Sequence, residues 1–233
     1  MNVLAFGAHP DDIELYCGGT LAKYARAGHA VTIAVICNGD SGYEGLPPQE
    51  VARMREQESC NAAAVINATA HHLRYPDHRV PTDDLIKSRI VEIIRLSKPQ
   101  VVISHDPNDC FVDHVRSSEL VEECLFMAFH SNIETESPAI TPPTTLFYMD
   151  TVAGLGFEPQ EFVDITPVFD TKRRMLQCHQ SQIVLWKDNP VLETMEMMEV
   201  TARFRGIQAF VRYAEAFRRP QLWTRMTTER LLP

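Results

Sequence analysis

Two clusters of histidine and carboxylate residues carry the strongest chemical signal in this chain. The first is Ala8-His9-Pro10-Asp11-Asp12-Ile13-Glu14-Leu15, directly after an apolar run at residues 3–6. The second is His105-Asp106-Pro107-Asn108-Asp109 with Asp113-His114 close behind, and it follows an apolar run at residues 101–103. Imidazole and carboxylate groups suit zinc and similar divalent ions. Because ligands bind at the carboxyl ends of strands in open α/β sheets, the two clusters predict one metal site built from two loops.

The spacing of the acids suggests how such a site could work. A catalytic zinc ion typically takes three protein ligands and leaves a fourth position for water, whose pKa it lowers toward ~7. Asp11 and Asp12 are adjacent and should point in different directions, so one can bind metal while the other accepts the water proton. His114 offers an imidazole from the second loop, with Asp113 beside it to orient a neighbouring group. Turns with helix-capping acids are the competing interpretation of each cluster alone.

Length and composition favour one soluble α/β domain and exclude several classes of protein. The 233 residues are 45% hydrophobic and 23% charged, which is ordinary for a globular protein. The net charge of -9 argues against a nucleic-acid partner. No stretch of 18 apolar residues and no leader-like N-terminus is present, so we expect neither a membrane span nor a signal peptide. Six cysteines without a paired framework favour free thiols and a cytoplasmic location.

Alternating apolar runs and helical patterns predict a mainly parallel sheet with helices on both faces. The predicted strands are residues 3–6, 31–37, 101–104 and 145–149, with a weaker one at 72–75. The predicted helices are residues 20–27, 49–66, 82–97 and 113–129, with Thr82 as the N-cap of the third.

After residue 150 the alternation loosens. Residues 131–143 read as a long surface loop, residues 166–182 and 190–210 as helices, and residues 213–217 as a short strand or extended segment. The whole chain, 1–233, is interpreted as one domain, with the sheet core at about 1–150 and a capping part at about 151–233. Methionines on one face of the last helix suggest core packing or an oligomer contact.

Several motifs identify the chain as similar to a known enzyme family. Ala8-His9-Pro10-Asp11-Asp12 with Glu14 and Gly18-Gly19-Thr20 behind it resembles the signature of the LmbE-like / PIG-L family of zinc-dependent N-deacetylases. Further matches are, in the family's order, Arg55 and Glu58, Pro107-Asn108-Asp109 leading into Asp113-His114, His179-Gln180-Ser181-Gln182, and Tyr213-Ala214-Glu215-Ala216-Phe217. The resemblance implies a single Rossmann-like domain with its active site at the C-terminal ends of the strands.

The resemblance also implies roles for individual residues. His9, Asp12 and His114 would be the metal ligands, and Asp11 the general base. Asp113 would tune a neighbouring imidazole or the metal. Arg55 matches the family's arginine at the substrate end of the pocket. Asp77 matches, more loosely, a family acid that binds a sugar hydroxyl. The ion would be Zn²⁺, with Fe²⁺ or another divalent ion as alternatives that this ligand set also accepts.

One departure from the family pattern concerns the reaction. Many members have His-Pro-Asp-His where this chain has Phe111-Val112-Asp113-His114. The missing histidine is the proposed donor to the oxyanion or to the leaving amine, and phenylalanine can do neither. His105, Tyr213 or His179 could substitute, since imidazole and phenol groups can donate to a developing oxyanion.

The expected activity is metal-dependent removal of an acetyl group from an N-acetylated amino-sugar conjugate of the N-acetylglucosamine type. Two alternatives stay open: an amidase or deacylase for a non-sugar or thiol-conjugate amide, and a non-catalytic protein that keeps a metal-stabilised sugar pocket. The expected partner is the small-molecule substrate. Members of the family often assemble, so a homo-oligomer is compatible with the resemblance.

Overall fold

The computed structural model describes residues 1–141, 144–187, 189 and 193–221, and within them one mixed sheet forms the centre of the molecule. Its strands are β1 (Asn2–Gly7), β2 (Ala30–Cys37), β3 (Thr69–Tyr75), β4 (Val101–Ser104), β5 (Thr145–Met149), β6 (Glu161–Asp164) and β7 (Ala214–Arg218). The helices are α1 (Asp12–Tyr16), α2 (Gly18–Arg26), α3 (Pro48–Ala64), α4 (Asp84–Ser97), α5 (Val112–Met127), α6 (Phe169–Leu176), α7 (Gln180–Trp186) and α8 (Thr194–Ala209).

The strand order, β3-β2-β1-β4-β5-β7-β6, places a topological switch between β1 and β4. The chain moves outward from β1 to β2 and β3, then crosses back to add β4 on the other side of β1. These strands and β5 are parallel, whereas β7 is antiparallel to both β5 and β6. Crossovers leave β1 and β4 in opposite directions, so a crevice opens beyond their carboxyl ends.

Alternation along the strands builds a core on each face of the sheet. Val3 and Ala5 of β1 pack into one apolar cluster with α2 and α6, while Leu4 and Phe6 pack into the other with α4 and α5. A strand that is buried on both faces must be apolar at every position, which explains the unbroken apolar runs. The predicted α/β fold with helices on both faces is confirmed.

The second half of the chain differs from the sequence prediction in three places. Residues after 150 do more than cap the sheet, because β6 and β7 extend it. β6 was missed because it is only four residues long, with two apolar side chains. The helix predicted over 166–182 is a short 3-10 turn followed by α6 and α7, which are interrupted before Gln180.

One helix start also differs, and one is not described. Asp83, not Thr82, caps α4, and its carboxylate accepts hydrogen bonds from the backbone N–H groups of Leu85 and Ile86. The predicted start of the last helix at residue 190 lies outside the described residues, as do residues 142 and 143 of the predicted loop; the described helix begins at Thr194. None of the helices that the structure describes is both long and apolar enough to cross a membrane.

Candidate metal centre

Both sequence clusters lie at the topological switch. His9, Asp11 and Asp12 follow β1 directly, and the loop from His105 to Phe111 joins β4 to α5, which carries His114 in its first turn. Parallel pairing of β1 with β4 aligns their carboxyl ends, so the two loops meet. This register explains how two loops that are far apart in the sequence can build one site.

His9, Asp12 and His114 come together as a group whose potential ligand atoms all lie within 4.8 Å of one another. The Asp12 carboxylate is buried between the two rings: Oδ2 lies 3.5 Å from Nδ1 of His9, and Oδ1 lies 3.3 Å from Nε2 of His114. Among the described residues, both ring nitrogens of His114 are buried without a hydrogen-bond partner, although each lies close to a carboxylate oxygen. Two imidazoles and one carboxylate are a donor set that suits zinc or iron.

A second carboxylate faces the other nitrogen of each ring. Nε2 of His9 lies 3.0 Å from Oδ2 of Asp113, and Nδ1 of His114 lies 3.1 Å from Oδ2 of Asp109. A carboxylate behind a ligating imidazole fixes the ring and raises its basicity, an arrangement common around protein-bound zinc. The residues present therefore fit a divalent cation held by His9, Asp12 and His114.

The electrostatics of the cluster also favour a cation. Burial lowers the pKa of His114, but the carboxylates of Asp12 and Asp109 outweigh burial and raise that pKa to about 9. Burial likewise opposes protonation of His9, while Asp113 and Asp12 raise its pKa to about 10. The surrounding carboxylates thus create a strongly negative potential at the two rings, which a divalent ion would neutralise.

Asp11 is not part of this group, and its carboxylate contacts Arg55 instead. It has a positive φ of 118°, a strained backbone conformation for a non-glycine residue, and immediately precedes α1. Its Oδ1 accepts a hydrogen bond from Nη2 of Arg55 at 3.2 Å. Burial raises the pKa of Asp11 to about 6, although the Arg55 guanidinium opposes the increase.

Arg55 is buried, and its guanidinium connects the loops around the centre. Besides Asp11 it donates to the carbonyl oxygen of Pro10 at 2.6 Å and to that of Gly39 at 3.2 Å. These contacts show that Arg55 holds Asp11 in position. Its predicted role at the substrate end of the pocket stays a prediction.

Asp77 holds the turn at residues 39–42. Its Oδ1 accepts from the backbone N–H of Gly39 at 2.8 Å, and its Oδ2 accepts from that of Ser41 at 3.1 Å. Asp77 also forms part of a second group, with His9 and Cys37, whose ligand atoms lie within 4.8 Å of one another. Asp77 is therefore close to the centre, while both of its oxygens already accept hydrogen bonds from the turn.

His105 and Tyr213 have contacts other than those expected of an oxyanion donor. His105 is 0% exposed; its Nε2 accepts from the N–H of Ala8 at 2.9 Å and lies 3.1 Å from Oδ2 of Asp12. Burial lowers its pKa to about 4, so the ring is neutral. Tyr213 stacks on Phe169 in the core, and its hydroxyl donates to Glu199. These contacts place both residues in packing and structural roles: His105 between Ala8 and Asp12, and Tyr213 in the core.

Sequence reasoning missed two pairings. Asp109 holds His114, a task that was assigned to no residue; its place in the Pro107-Asn108-Asp109 match was the available signal. His179 is fully buried, with Nε2 3.2 Å from Oε2 of Glu14. Both partners belong to matched motifs, but a single sequence does not show which motifs touch.

Phe111 lies at the rim, where the family pattern has a histidine. Phe111 is 53% exposed. Its ring contacts the His114 ring edge-on, with 5.2 Å between the ring centroids. Asp109 fixes the position of Phe111 by accepting its backbone N–H at 3.1 Å. An apolar ring thus borders the centre in place of a proton donor.

Comparisons with known proteins show which family the chain resembles. The family model described as PIG-L, GlcNAc-PI de-N-acetylase, matches residues 4–125. A 4-oxalmesaconate hydratase from Pseudomonas putida is 25% identical over 89% of this chain and 81% of its own length. A diacetylchitobiose deacetylase from Thermococcus kodakarensis is 28% identical over 93% of this chain and 82% of its own. The solved N,N'-diacetylchitobiose deacetylase from Pyrococcus horikoshii superposes with a TM-score of 0.82 at 25% identity, covering 93% of this chain and 82% of that structure.

Proposed function

Because the chain belongs to the PIG-L family of de-N-acetylases, we propose that it is a metal-dependent hydrolase that removes the acetyl group from an N-acetylated amino-sugar conjugate. The observation that carries the proposal is the convergence of His9, Asp12 and His114 beside a carboxylate, Asp11, that is not part of the group. Similarity to deacetylases of N-acetylglucosamine-type substrates supports the substrate class.

In this proposal His9, Asp12 and His114 hold the ion, which we expect to be Zn²⁺, with Fe²⁺ or another divalent ion as the alternative. Zinc in such a site lowers the pKa of water toward ~7 and polarises an amide carbonyl. Asp109 and Asp113 keep the two rings oriented, and the buried His105 packs against Asp12.

Asp11 is the proposed general base. Its carboxylate accepts a proton from the attacking water and returns it to the leaving amine, while Arg55 holds Oδ1 in place. Arg55 and Asp77 stay the proposed contacts to the sugar, with the turn at residues 39–42 between them. We place the enzyme in the cytoplasm because all six cysteines are free thiols, as expected in a reducing compartment.

The test is the variant Asp11→Ala, assayed with an acetylated glucosamine conjugate and analysed for bound metal. We expect it to retain the ion, since Asp11 is not a ligand, and to lose about 10²–10⁴-fold in kcat, the usual contribution of a general base. The exposed Asp170→Ala is the matched control and should be indistinguishable from the wild type. An Asp11→Ala enzyme with full activity would remove Asp11 from the mechanism.

A hydratase is the second candidate function. The observation in its favour is the similarity to 4-oxalmesaconate hydratase over 89% of the chain. A substrate panel separates the candidates: acetylated amino sugars, non-sugar amides and an unsaturated oxo-acid. Release of acetate from amino sugars supports the deacetylase, whereas turnover of the unsaturated acid alone overturns it.

A further inference from the structure

Three neighbouring strands bring a second group of metal-ligating side chains together, on the side of β1 that faces β2. His9 follows β1, Cys37 is the last residue of β2, and Asp77 follows shortly after β3. Parallel pairing aligns the carboxyl ends of these strands, and the backbone N–H of Cys37 donates to the carbonyl oxygen of Ala8 at 2.7 Å. A nitrogen, a sulfur and an oxygen atom of the three side chains lie within 4.8 Å of one another.

The sulfur atom of Cys37 has no hydrogen bond to any residue that the structure describes. Cys37 is 1% exposed and borders an apolar core, so water is kept away from it. Buried free cysteines often serve only as small apolar side chains. Of the three buried cysteines, Cys17, Cys37 and Cys124, however, Cys37 alone belongs to a described group of potential metal ligands. A thiol beside an imidazole and a carboxylate suits a thiophilic divalent ion such as zinc.

The carboxylates around this group favour a cation. Oδ2 of Asp113 lies 3.0 Å from Nε2 of His9, and Oδ1 of Asp40 accepts the backbone N–H of Asp77 at 3.0 Å. Within the described residues, neither Asp40, Asp77 nor Asp113 forms an ion pair with a lysine or an arginine. A divalent ion would neutralise this negative charge, and the attraction is stronger in a buried site than in water.

The carboxylate of Asp77 can bind an ion while it holds the turn at residues 39–42. Each of its oxygens accepts one backbone N–H and keeps a second lone pair. Donor atoms on one zinc ion lie about 3–4 Å apart, since the bonds are about 2.0–2.3 Å long. His9 is the least buried of the three residues, with 17% of its side chain exposed, so a rotation of its ring would close the group around an ion.

We propose that His9, Cys37 and Asp77 form a second cation site, for zinc or another thiophilic divalent ion, which competes with the metal centre for His9. A neutral imidazole has one free nitrogen lone pair, because its other nitrogen carries a proton, so the His9 ring serves one ion at a time. On binding, the Cys37 thiol loses its proton to solvent and a metal–sulfur bond forms.

The second site is filled only when ions are in excess. Burial, with the carboxylates of Asp113 and Asp77, raises the pKa of the Cys37 thiol, so the thiol keeps its proton until an ion replaces it. Excess ion then withdraws His9 from the metal centre and inhibits the enzyme. The inhibition rests on the proposed function, whereas the binding of the second ion does not.

Ultraviolet absorption during a cadmium titration tests the site, because a cadmium–thiolate bond absorbs there and cadmium bonds to imidazole or carboxylate do not. The protein is first loaded with one cobalt ion per chain. The wild type should gain a band that saturates as cadmium is added, and Cys37→Ser should lack this band. Cys110→Ser is the matched control and should keep the band, because Cys110 is an exposed thiol next to an acid. A band that persists in Cys37→Ser overturns the proposal.

The variant Asp77→Asn tests the site with its sulfur intact. Its band should reach the wild-type height at a cadmium concentration at least about tenfold higher, since the loss of even an outer partner of a metal site costs about 10–100-fold in affinity. An unchanged midpoint overturns the proposed ligand set. Circular dichroism of each variant establishes that it is folded.

The cobalt ion reports the competition for His9 in the same titration. Its visible absorption depends on its ligands and should change together with the ultraviolet band in the wild type, but not in Cys37→Ser. The same visible change in both proteins overturns the competition, because cadmium then replaces cobalt directly.

Inhibition by zinc is measured separately, as acetate release from an acetylated glucosamine conjugate. The zinc concentration that halves the rate should be at least about tenfold higher for Cys37→Ser than for the wild type. Equal zinc sensitivity of the two proteins overturns the inhibitory role. A protein that is inactive on amino sugars contradicts the proposed function instead, and the absorption titration still decides whether the second site exists.

Discussion

At the residue scale, the candidate site depends on which of two neighbouring carboxylates meets the imidazoles. The backbone before α1 turns so that Asp12 faces His9 and His114, while Asp11 meets Arg55. Adjacent residues in a turn diverge, so the sequence predicted two roles for the pair. The sequence predicted that Asp113 orients a neighbouring imidazole, but not that this imidazole is His9, 104 residues away. It also did not predict that Asp109 faces His114.

The Asp113 contact gives a prediction at the same scale. Asp113→Asn should keep the fold and lower zinc affinity by about 10–100-fold, because a neutral amide orients and polarises the His9 ring less well. Competition with a metal-binding dye measures the change. Asp170→Asn, on the surface of α6, should leave the affinity unaltered; an Asp113→Asn affinity equal to the wild type would contradict the assigned role.

At the element scale, apolar periodicity predicted the strands and helices of the first half well. Strands buried on both faces are continuous apolar runs, and β1, β2 and β4 all have this signature. β6 lacks it, since a four-residue strand at the edge of the sheet needs few apolar side chains. The break between α6 and α7 was missed because it contains no proline or glycine. His179 lies at this break, and its buried ring contacts Glu14.

The close approach of α2 to the residue after β6 gives a second prediction. A Cβ atom at Gly19 would lie 2.8 Å from the Ile165 side chain, so Gly19→Ala should destabilise the fold by about 1–3 kcal/mol through overpacking. At the adjacent Gly18 the nearest atom would be 3.4 Å away, so Gly18→Ala is the matched control and should cost little. Urea denaturation measures both; equal stability of the two variants would contradict the packing account.

At the scale of the whole molecule, distant parts of the chain meet in charged clusters that local periodicity does not predict. Glu215 of β7 accepts hydrogen bonds from the N–H groups of Gly19 and Thr20 and pairs with Lys172 of α6. The sequence identified the segment that contains Glu215 as a motif but not its partner. Topology and the parallel core were therefore predictable, whereas contacts between the N- and C-terminal parts needed the structure.

Metal binding should stabilise the whole fold, because the centre joins the loops after β1 and β4. An ion present at a hundred times its dissociation constant adds about 2.7 kcal/mol to the free energy of unfolding. A chelator should therefore lower the melting temperature of the wild type and leave that of Asp12→Ala unchanged. Differential scanning calorimetry tests this, and equal chelator effects on both proteins would contradict it.

The most direct test of the account is anomalous X-ray diffraction at the absorption edge of the metal, from crystals of protein purified without added metal or chelator. We expect one anomalous peak in contact with His9, Asp12 and His114 together, and no contact with Asp11. A peak bound by other residues, or an active enzyme without a peak at these three side chains, would contradict it.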